Sequence, residues 1–431
     1  MRITRTILSF FLGVGLALGA DVALDDLKSP DTETREKAAR KLGDQDDGYD
    51  HIAALIPLVQ DSEPEVRNAA IGSLIKFRSS ESIEPLITAT RDDIPEIQAL
   101  AVDGLVNFYY PEYVKFGWFN SVKTFTGQLK GRFSKPNPVM IEPYVTVNPD
   151  VIRAIGHVVV SGGSADARAN AARALGVLRG RDSLGSLLHG ARSRDSKIIL
   201  ESIYAIKKIA DPKAGPEIVF LLRDLDEDVQ FAVIQTVGQL RTQEARPNLT
   251  EIIEESDQAR IRREALVALA KIPAPEQRTL FLTYMRDKDK WMRAAAAEGL
   301  GRIGNPLDLG VVDKAFRSES AESTRLSLAF AAVHLGNMSQ VNYLIDGLNS
   351  TVHRLEARPF LTELARKPEV LTRLYPKLAS GTSPQRQHLA HVVSISGNAG
   401  SVEYLQRLAD DPDDKVAVAG IEALKVLQAR L

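Results

Sequence analysis

The sequence predicts an all-α fold: an α-solenoid of about eleven stacked helix-turn-helix repeats, broken once by a long non-repeat insertion. Three observations carry that prediction. One phrase recurs along the chain at intervals of 31 or 32 residues. Each copy supplies two amphipathic helical stretches separated by a breaker. One interval is 70 residues instead, and within it positions 108–133 hold nine of the protein's 26 aromatic residues.

Taken in order, the chain begins with a secretory signal, residues 1–20. Arg2 and Arg5 form a charged start, 7–18 is an apolar run, and Gly19 and Ala20 are small residues before Asp21. The apolar run is shorter than the ~20 residues that span a bilayer, so the expectation is cleavage after Ala20 and a mature protein that is periplasmic or extracellular. The two arginines are not adjacent, which excludes a twin-arginine signal. Cysteine is absent, so disulfides, thiol nucleophiles and cysteine metal sites are excluded and stability must come from packing.

Composition sets further bounds. The 431 residues are 44% hydrophobic and 26% charged, as in a folded chain. Lys and Arg number 54 against 56 Asp and Glu. The near balance removes any whole-protein reason to expect a nucleic-acid partner.

The repeated phrase is an acidic turn, an apolar residue beside Arg, and an Ala-rich helix ending at Leu and Gly. Copies include "DSEPEVRNAAIGSL" from Asp61, "SADARANAARALGVL" from Ser164, "DEDVQFAVIQTVGQL" from Asp226, "DQARIRREALVALAKI" from Asp257, "DKDKWMRAAAAEGLGRIG" from Asp287 and "DPDDKVAVAGIEAL" from Asp411. Arg35, Arg67, Arg168, Gln230, Arg262, Arg293 and Arg325 mark the register. In the Asp287 copy Trp291, Ala294, Ala295, Leu300 and Ile303 form one helical stripe, "GNP" breaks the chain, and a second amphipathic stretch follows. Such a hairpin cannot bury its stripe alone, so neighbours must stack. Ala69, Ala171, Ala265 and 295–297 are small enough to let helices approach closely.

These residues resemble the HEAT-repeat family, in particular the short HEAT-like class of the phycobilisome bilin lyases. The resemblance implies an α-solenoid over 21–106 and 149–431. It leaves function open among scaffolds, inhibitors, enzyme subunits and enzymes. Near the C terminus "LEARPFLTEL" and "SPQRQHLAHVVSI" keep the helical period without the Arg phrase, and the final amphipathic helix is expected to cap the array.

The interval from Gln98 to Arg168 exceeds one period by about 39 residues, which places the insertion at 107–148. Within it Val114, Trp118, Val122, Phe125 and Leu129 are spaced by 4, 4, 3 and 4, one narrow helical stripe flanked by Lys115, Lys123 and Lys130. Three surfaces suit that stripe: the protein's own solenoid, a protein partner, or a membrane interface. The candidate partner-binding residues are Tyr109, Tyr110, Tyr113, Lys115, Phe116, Trp118, Phe119, Lys123, Phe125, Lys130 and Arg132. After them Pro136, Pro138, Pro143 and Pro149 frame an extended segment that returns the chain to the array.

Catalytic constellations are not evident. His388 and His391 could share a helix face and hold a metal, but no third ligand stands near them in sequence. "SGGS" at 161–164 reads as a turn between helices. The Arg ladder has two readings, a phosphate-binding groove or repeat-to-repeat ion pairs, and the acidic turn beside each Arg favours pairing. The expectation is therefore an exported, non-enzymatic scaffold with neither cofactor nor metal. It would bind a protein through the insertion or the concave solenoid face; the alternatives are a bilin-lyase-type enzyme or accessory and a membrane-surface adaptor.

Overall fold

The computed structural model of the chain describes residues 24–45, 51–111, 113, 137–272 and 274–431. Among these residues every regular element is an α- or 3-10 helix, and no helix is long and apolar enough to cross a membrane. The expected signal at 1–20 lies outside the described residues. Two compact units divide the chain between Ile218 and Val219. Nothing in the repeat period marks that division.

Helix starts follow from the phrase. The acid that opens a repeat is an N-cap: Asp31, Asp195, Asp226, Asp289 and Asp413 each accept a hydrogen bond from an amide of the first turn. This satisfies donors that a helix leaves without partners. Ser164 caps Ala165–Val177 in the same way, and with Gly162 and Gly163 it forms the turn expected at "SGGS". Pro64, Pro95 and Pro149 open their helices where a missing amide costs nothing.

In the first unit Thr32–Gly43, Pro64–Phe77, Pro95–Tyr109, Ala165–Val177 and Ser196–Ile209 pack each on the next, and Ile83–Ala89, Pro149–Ser161 and Leu184–Gly190 back them. Helix Pro95–Tyr109 packs directly on Ala165–Val177 although the insertion separates them in sequence. Gln98 stands where other repeats carry Arg. It accepts from the Gly163 amide at 2.9 Å and donates to the Asp92 carbonyl at 2.6 Å, while Asn170 donates to Asp103 at 2.9 Å. The stack is continuous in space across the break in period.

In the second unit Glu227–Gln239, Ala259–Ala270, Lys290–Ile303, Glu322–His334, Arg354–Leu364, Ser383–Ser396 and Asp414–Gln428 stack likewise. Arg246–Glu255, Leu309–Ser318, Pro368–Ser380 and Val402–Ala409 belong to their second layer. The stripe of the Asp287 copy is largely buried, with Ala294, Ala295, Ala296, Ala297 and Leu300 out of solvent. Trp291 departs from it. Two residues past the N-cap, it is 43% exposed, and its ring lies under the Lys290 ammonium.

The recurring arginines pair within the array. Arg35 binds Asp61 through Nε at 2.9 Å and Nη2 at 3.0 Å, and Arg67 binds Asp92 at 2.7 and 2.9 Å. Each also donates to carbonyls of its own preceding turn, Ser29 and Pro30 for Arg35, Asp61 and Ser62 for Arg67. Arg262 and Arg168 use the carbonyls of Ser256 and Val159. A planar fork that meets a carboxylate bidentately is a use Lys cannot copy. Arg35, Arg67 and Arg293 staple successive turns, whereas among the described residues Arg168 and Arg262 tie only to carbonyls and Arg325 faces Glu322 of its own helix at 3.6 Å.

Candidate functional site

The first unit shows how the chain leaves and rejoins the array. Tyr109 is the last residue of helix Pro95–Tyr109, and the Tyr110 amide closes the helix on the Val106 carbonyl at 2.8 Å. The Tyr113 amide then bonds the Tyr110 carbonyl at 3.2 Å. All three rings are half-buried, and Tyr113 lies within electrostatic reach of Arg173. Helix geometry thus extends three residues past the expected start of the insertion at 107.

Residues 137–148 form a non-helical strap, as their prolines require. Three hydrogen bonds hold it. The Ile141 amide donates to the Val177 carbonyl at 2.9 Å, the Lys208 ammonium donates to the Val139 carbonyl at 2.8 Å, and the Asn148 amide donates to the Tyr109 hydroxyl at 3.1 Å. Ile141 is buried beneath the strap, whereas Met140 and Tyr144 point outward at 37% and 51% exposure. Asn148 then caps helix Pro149–Ser161.

Between the strap and the turn after Val177 lies an open pocket of about 310 Å3. Ile141, Val145, Val147, Ile152 and Leu178 form its apolar wall, and Arg179, Arg181 and Asp182 its polar edge. Arg179 holds the left-handed backbone conformation that ends a helix, φ 52°. Arg181 is mostly exposed and only loosely paired with Asp211 at 3.5 Å.

A polar pair lies beneath the strap. Arg173 meets Glu201 with Nε at 3.0 Å and Nη2 at 2.7 Å, and both side chains are nearly out of solvent. Burial is the largest influence and works against the Arg173 charge, but the Glu201 bond together with the charges of Glu201, Tyr113 and Asp103 raises the guanidinium's pKa overall. Lys208 is less compensated. Burial pulls its ammonium down to about 8, with Arg173 adding to that effect and Glu201 opposing it.

Of the residues singled out from sequence, the structure brings Tyr109 and Tyr113 to this corner beside the strap and Arg173, with Tyr110 closing the helix between them. Lys115, Phe116, Trp118, Phe119, Lys123, Phe125, Lys130 and Arg132 lie outside the described residues. Sequence reading passed over Asp103, Arg173, Glu201 and Lys208. Their signal was available, since each is a charged residue set in an otherwise apolar helical stretch ("AVDGLV", "AARALG", "ILESIYAI", "AIKKI"). His388 and His391 share helix Ser383–Ser396, but the charges acting on them are Arg354 and Arg358. Cationic neighbours repel a metal ion, and no group of three or more metal-binding side chains occurs among the described residues.

The helical pairs, the capped acidic turns and the arginine staples recur as one unit, and a sequence profile for HEAT repeats matches residues 20–106, 216–282 and 249–332. The chain is a HEAT-repeat protein. No curated protein sequence matches it. Among solved structures this HEAT array is similar to an engineered protein at 19% identity, over 95% of this chain and 98% of that one, with a TM-score of 0.39. It is similar to importin beta at 11% identity, over 95% of this chain and 62% of that one, with a TM-score of 0.45. It is also similar to the complex of CpcE and CpcF of phycocyanin lyase from a Nostoc species at 17% identity, over 73% and 94%, with a TM-score of 0.29. The HEAT array thus spans less than two thirds of the importin beta chain.

Proposed function

We propose that this HEAT-repeat chain is an exported, non-enzymatic scaffold that binds a protein partner through the surface around its insertion. One observation carries the reading. The strap is pinned at Val139, Ile141 and Asn148, and it presents Met140 and Tyr144 outward beside an apolar pocket edged by Arg179 and Arg181. Exposed aromatic residues next to arginine are common anchors of protein interfaces, and a pocket of this size accepts a large apolar side chain.

Two further parts of the proposal rest on sequence. Trp118 and Phe125 precede the strap in sequence, and their aromatic character is the reason the proposal includes them. Residues 1–20 direct export, and a cleaved signal would leave a mature chain beginning at Asp21. The non-enzymatic reading is supported by the polar groups under the strap: Arg173 and Glu201 neutralise each other, and Lys208 donates to a backbone carbonyl.

The experiment combines capture with stability. Met140→Ala with Tyr144→Ala, and separately Trp118→Ala with Phe125→Ala, should lose a protein retained from envelope extracts by the unaltered chain, while the helical melting transition stays in place. Retention by every variant would move the binding surface elsewhere. N-terminal sequencing of the cell-envelope fraction tests export; a chain that keeps Met1 and stays in the cytoplasm overturns it.

A further inference from the structure

The second unit contains a cluster of cations that does not fit the pattern of the rest. Among the described residues arginines meet carboxylates again and again: Arg302 forks onto Glu363, Arg278 onto Asp308, and Arg386 pairs with Asp411. Arg286, Arg317, Arg366 and Arg373 are exposed to solvent, whereas Arg354 and Arg358 are not. The latter two lie one turn apart on helix Arg354–Leu364, both half-buried, and neither has a side-chain hydrogen bond or ion pair among the described residues. Helix Ser383–Ser396 packs against that helix and carries His388 and His391 three residues apart on one face.

The charged groups acting on His388 are Arg354 and Arg358, and those acting on His391 are Arg358 and His388. Pro368–Ser380 and Asp414–Gln428 also pack on helix Ser383–Ser396. Their own charged residues, Glu369, Arg373 and Lys377 on one, Asp414, Lys415, Glu422 and Lys425 on the other, do not act on either ring. Of the acids nearest in sequence, Glu363 is held by Arg302, and Glu356 faces His353 at 3.6 Å without a hydrogen bond. The packed helices thus set two guanidinium groups on the side of two imidazoles, and no carboxylate is among the charges that act on either ring.

The geometry points to a binding site for a compact tetrahedral oxyanion, a phosphate or phosphate monoester, between helices Arg354–Leu364 and Ser383–Ser396. The donor count selects the chemistry. Each guanidinium can offer a two-point fork, and each imidazole adds an N–H. A single carboxylate has two oxygens and is filled by one fork, whereas a phosphate has enough oxygens to take both forks and an imidazole donor. The bound dianion would also reverse the local electrostatics. Without it, burial, Arg354 and Arg358 lower the His388 pKa, and burial, Arg358 and His388 lower that of His391, so both rings are neutral near pH 7. An anion between them favours the protonated rings, so binding takes up protons and tightens toward acid.

The test is a titration of the full chain with orthophosphate, followed through the histidine ring signals in NMR at constant ionic strength. The expected result is saturable movement of the His388 and His391 signals, an upward shift in their titration, and binding several-fold tighter at about pH 6 than at about pH 8. His51, His157, His189, His334 and His353 should not respond. Arg354→Gln with Arg358→Gln should weaken binding by about tenfold or more. Because neither arginine has a protein partner to lose, melting of this variant should be unchanged; His391→Gln gives a second, independent weakening. Arg407→Gln, on an exposed arginine paired with Glu403, should keep full affinity. O-Phosphoserine in a parallel titration separates the sources: response to both identifies a monoester site, and response to orthophosphate alone a site for the free ion. An equal response to chloride, no saturation, or full affinity in the double arginine variant would overturn the proposal.

Discussion

Arg293 holds Glu319 in a two-point hydrogen bond, Nε to Oε2 at 2.8 Å and Nη2 to Oε1 at 3.0 Å. Its Nη1 donates at the same time to the carbonyls of Asp287 at 2.9 Å and Lys288 at 3.0 Å. One side chain thereby ties the turn before its own helix to the turn before the next. Glu319 in turn accepts from the amides of Ser320 and Ala321, both at 3.0 Å, and so orients the start of helix Glu322–His334.

Arg293→Lys should therefore lower stability by about 1–2 kcal/mol, since a point charge cannot supply both edges of the fork. The Arg293 bond holds the Glu319 carboxyl below its ordinary value of 4.5, against the opposing effect of burial. A depressed folded pKa means that this contribution is full above 4.5 and is lost as pH falls through the folded value. Melting curves of the two proteins should stand apart at neutral pH and converge as the pH falls below the folded Glu319 value.

Close helix approach gives a second prediction. A Cβ built on Gly301 would lie 2.6 Å from the Ala331 Cα of the next repeat. Gly301→Ala should destabilise by about 1–3 kcal/mol although alanine is the better helix former by about 1 kcal/mol. Gly310→Ala, where a Cβ meets nothing within 4 Å, should instead be neutral or stabilising by up to about 0.5 kcal/mol. Chemical denaturation of both separates packing from propensity.

Helix ends give a third. Ala210 takes the left-handed conformation after helix Ser196–Ile209, φ 55°, at the position where Gly304 follows helix Lys290–Ile303, φ 74°. Ala210→Gly should stabilise by about 0.5–1 kcal/mol, read as a higher melting temperature.

These residues also show what was legible beforehand. The repeat could be read because the staple needs a fixed acid and a fixed Arg, and the cap needs Asp or Ser at a set place; chemistry that specific leaves a visible period. The strap could be read from its prolines. Ala210 gave no such sign, because a left-handed cap occupied by alanine looks like the continuation of a helix. The exposure of Trp291 could not be read, because a stripe of spacings gives the direction of a residue and not what covers it. The division after Ile218 has no local marker at all. At the candidate site the tyrosines stood out as a composition shift, whereas Arg173, Glu201 and Lys208 gain meaning only when helices more than twenty residues apart in sequence are brought together.

Lys208 supplies a pH prediction. Its folded pKa of about 8 is below the ordinary 10.5. The unfolded chain therefore binds more protons between those values, so stability should rise with pH from about 8 toward 10.5. The amine can donate to the Val139 carbonyl in either state. Denaturation midpoints of the wild type should climb over that window, and in Lys208→Met the rise should be smaller.

The proposed recognition surface is the insertion with its strap, carried on a HEAT scaffold. It is tested most directly by replacing residues 114–136 with a short Gly-Ser linker, leaving the strap at 137–148 in place, and measuring partner retention from envelope extracts beside the intact protein. The replaced protein should melt as the intact one does and no longer retain the partner. Equal retention by both folded proteins would contradict it and assign recognition to the helices of the array.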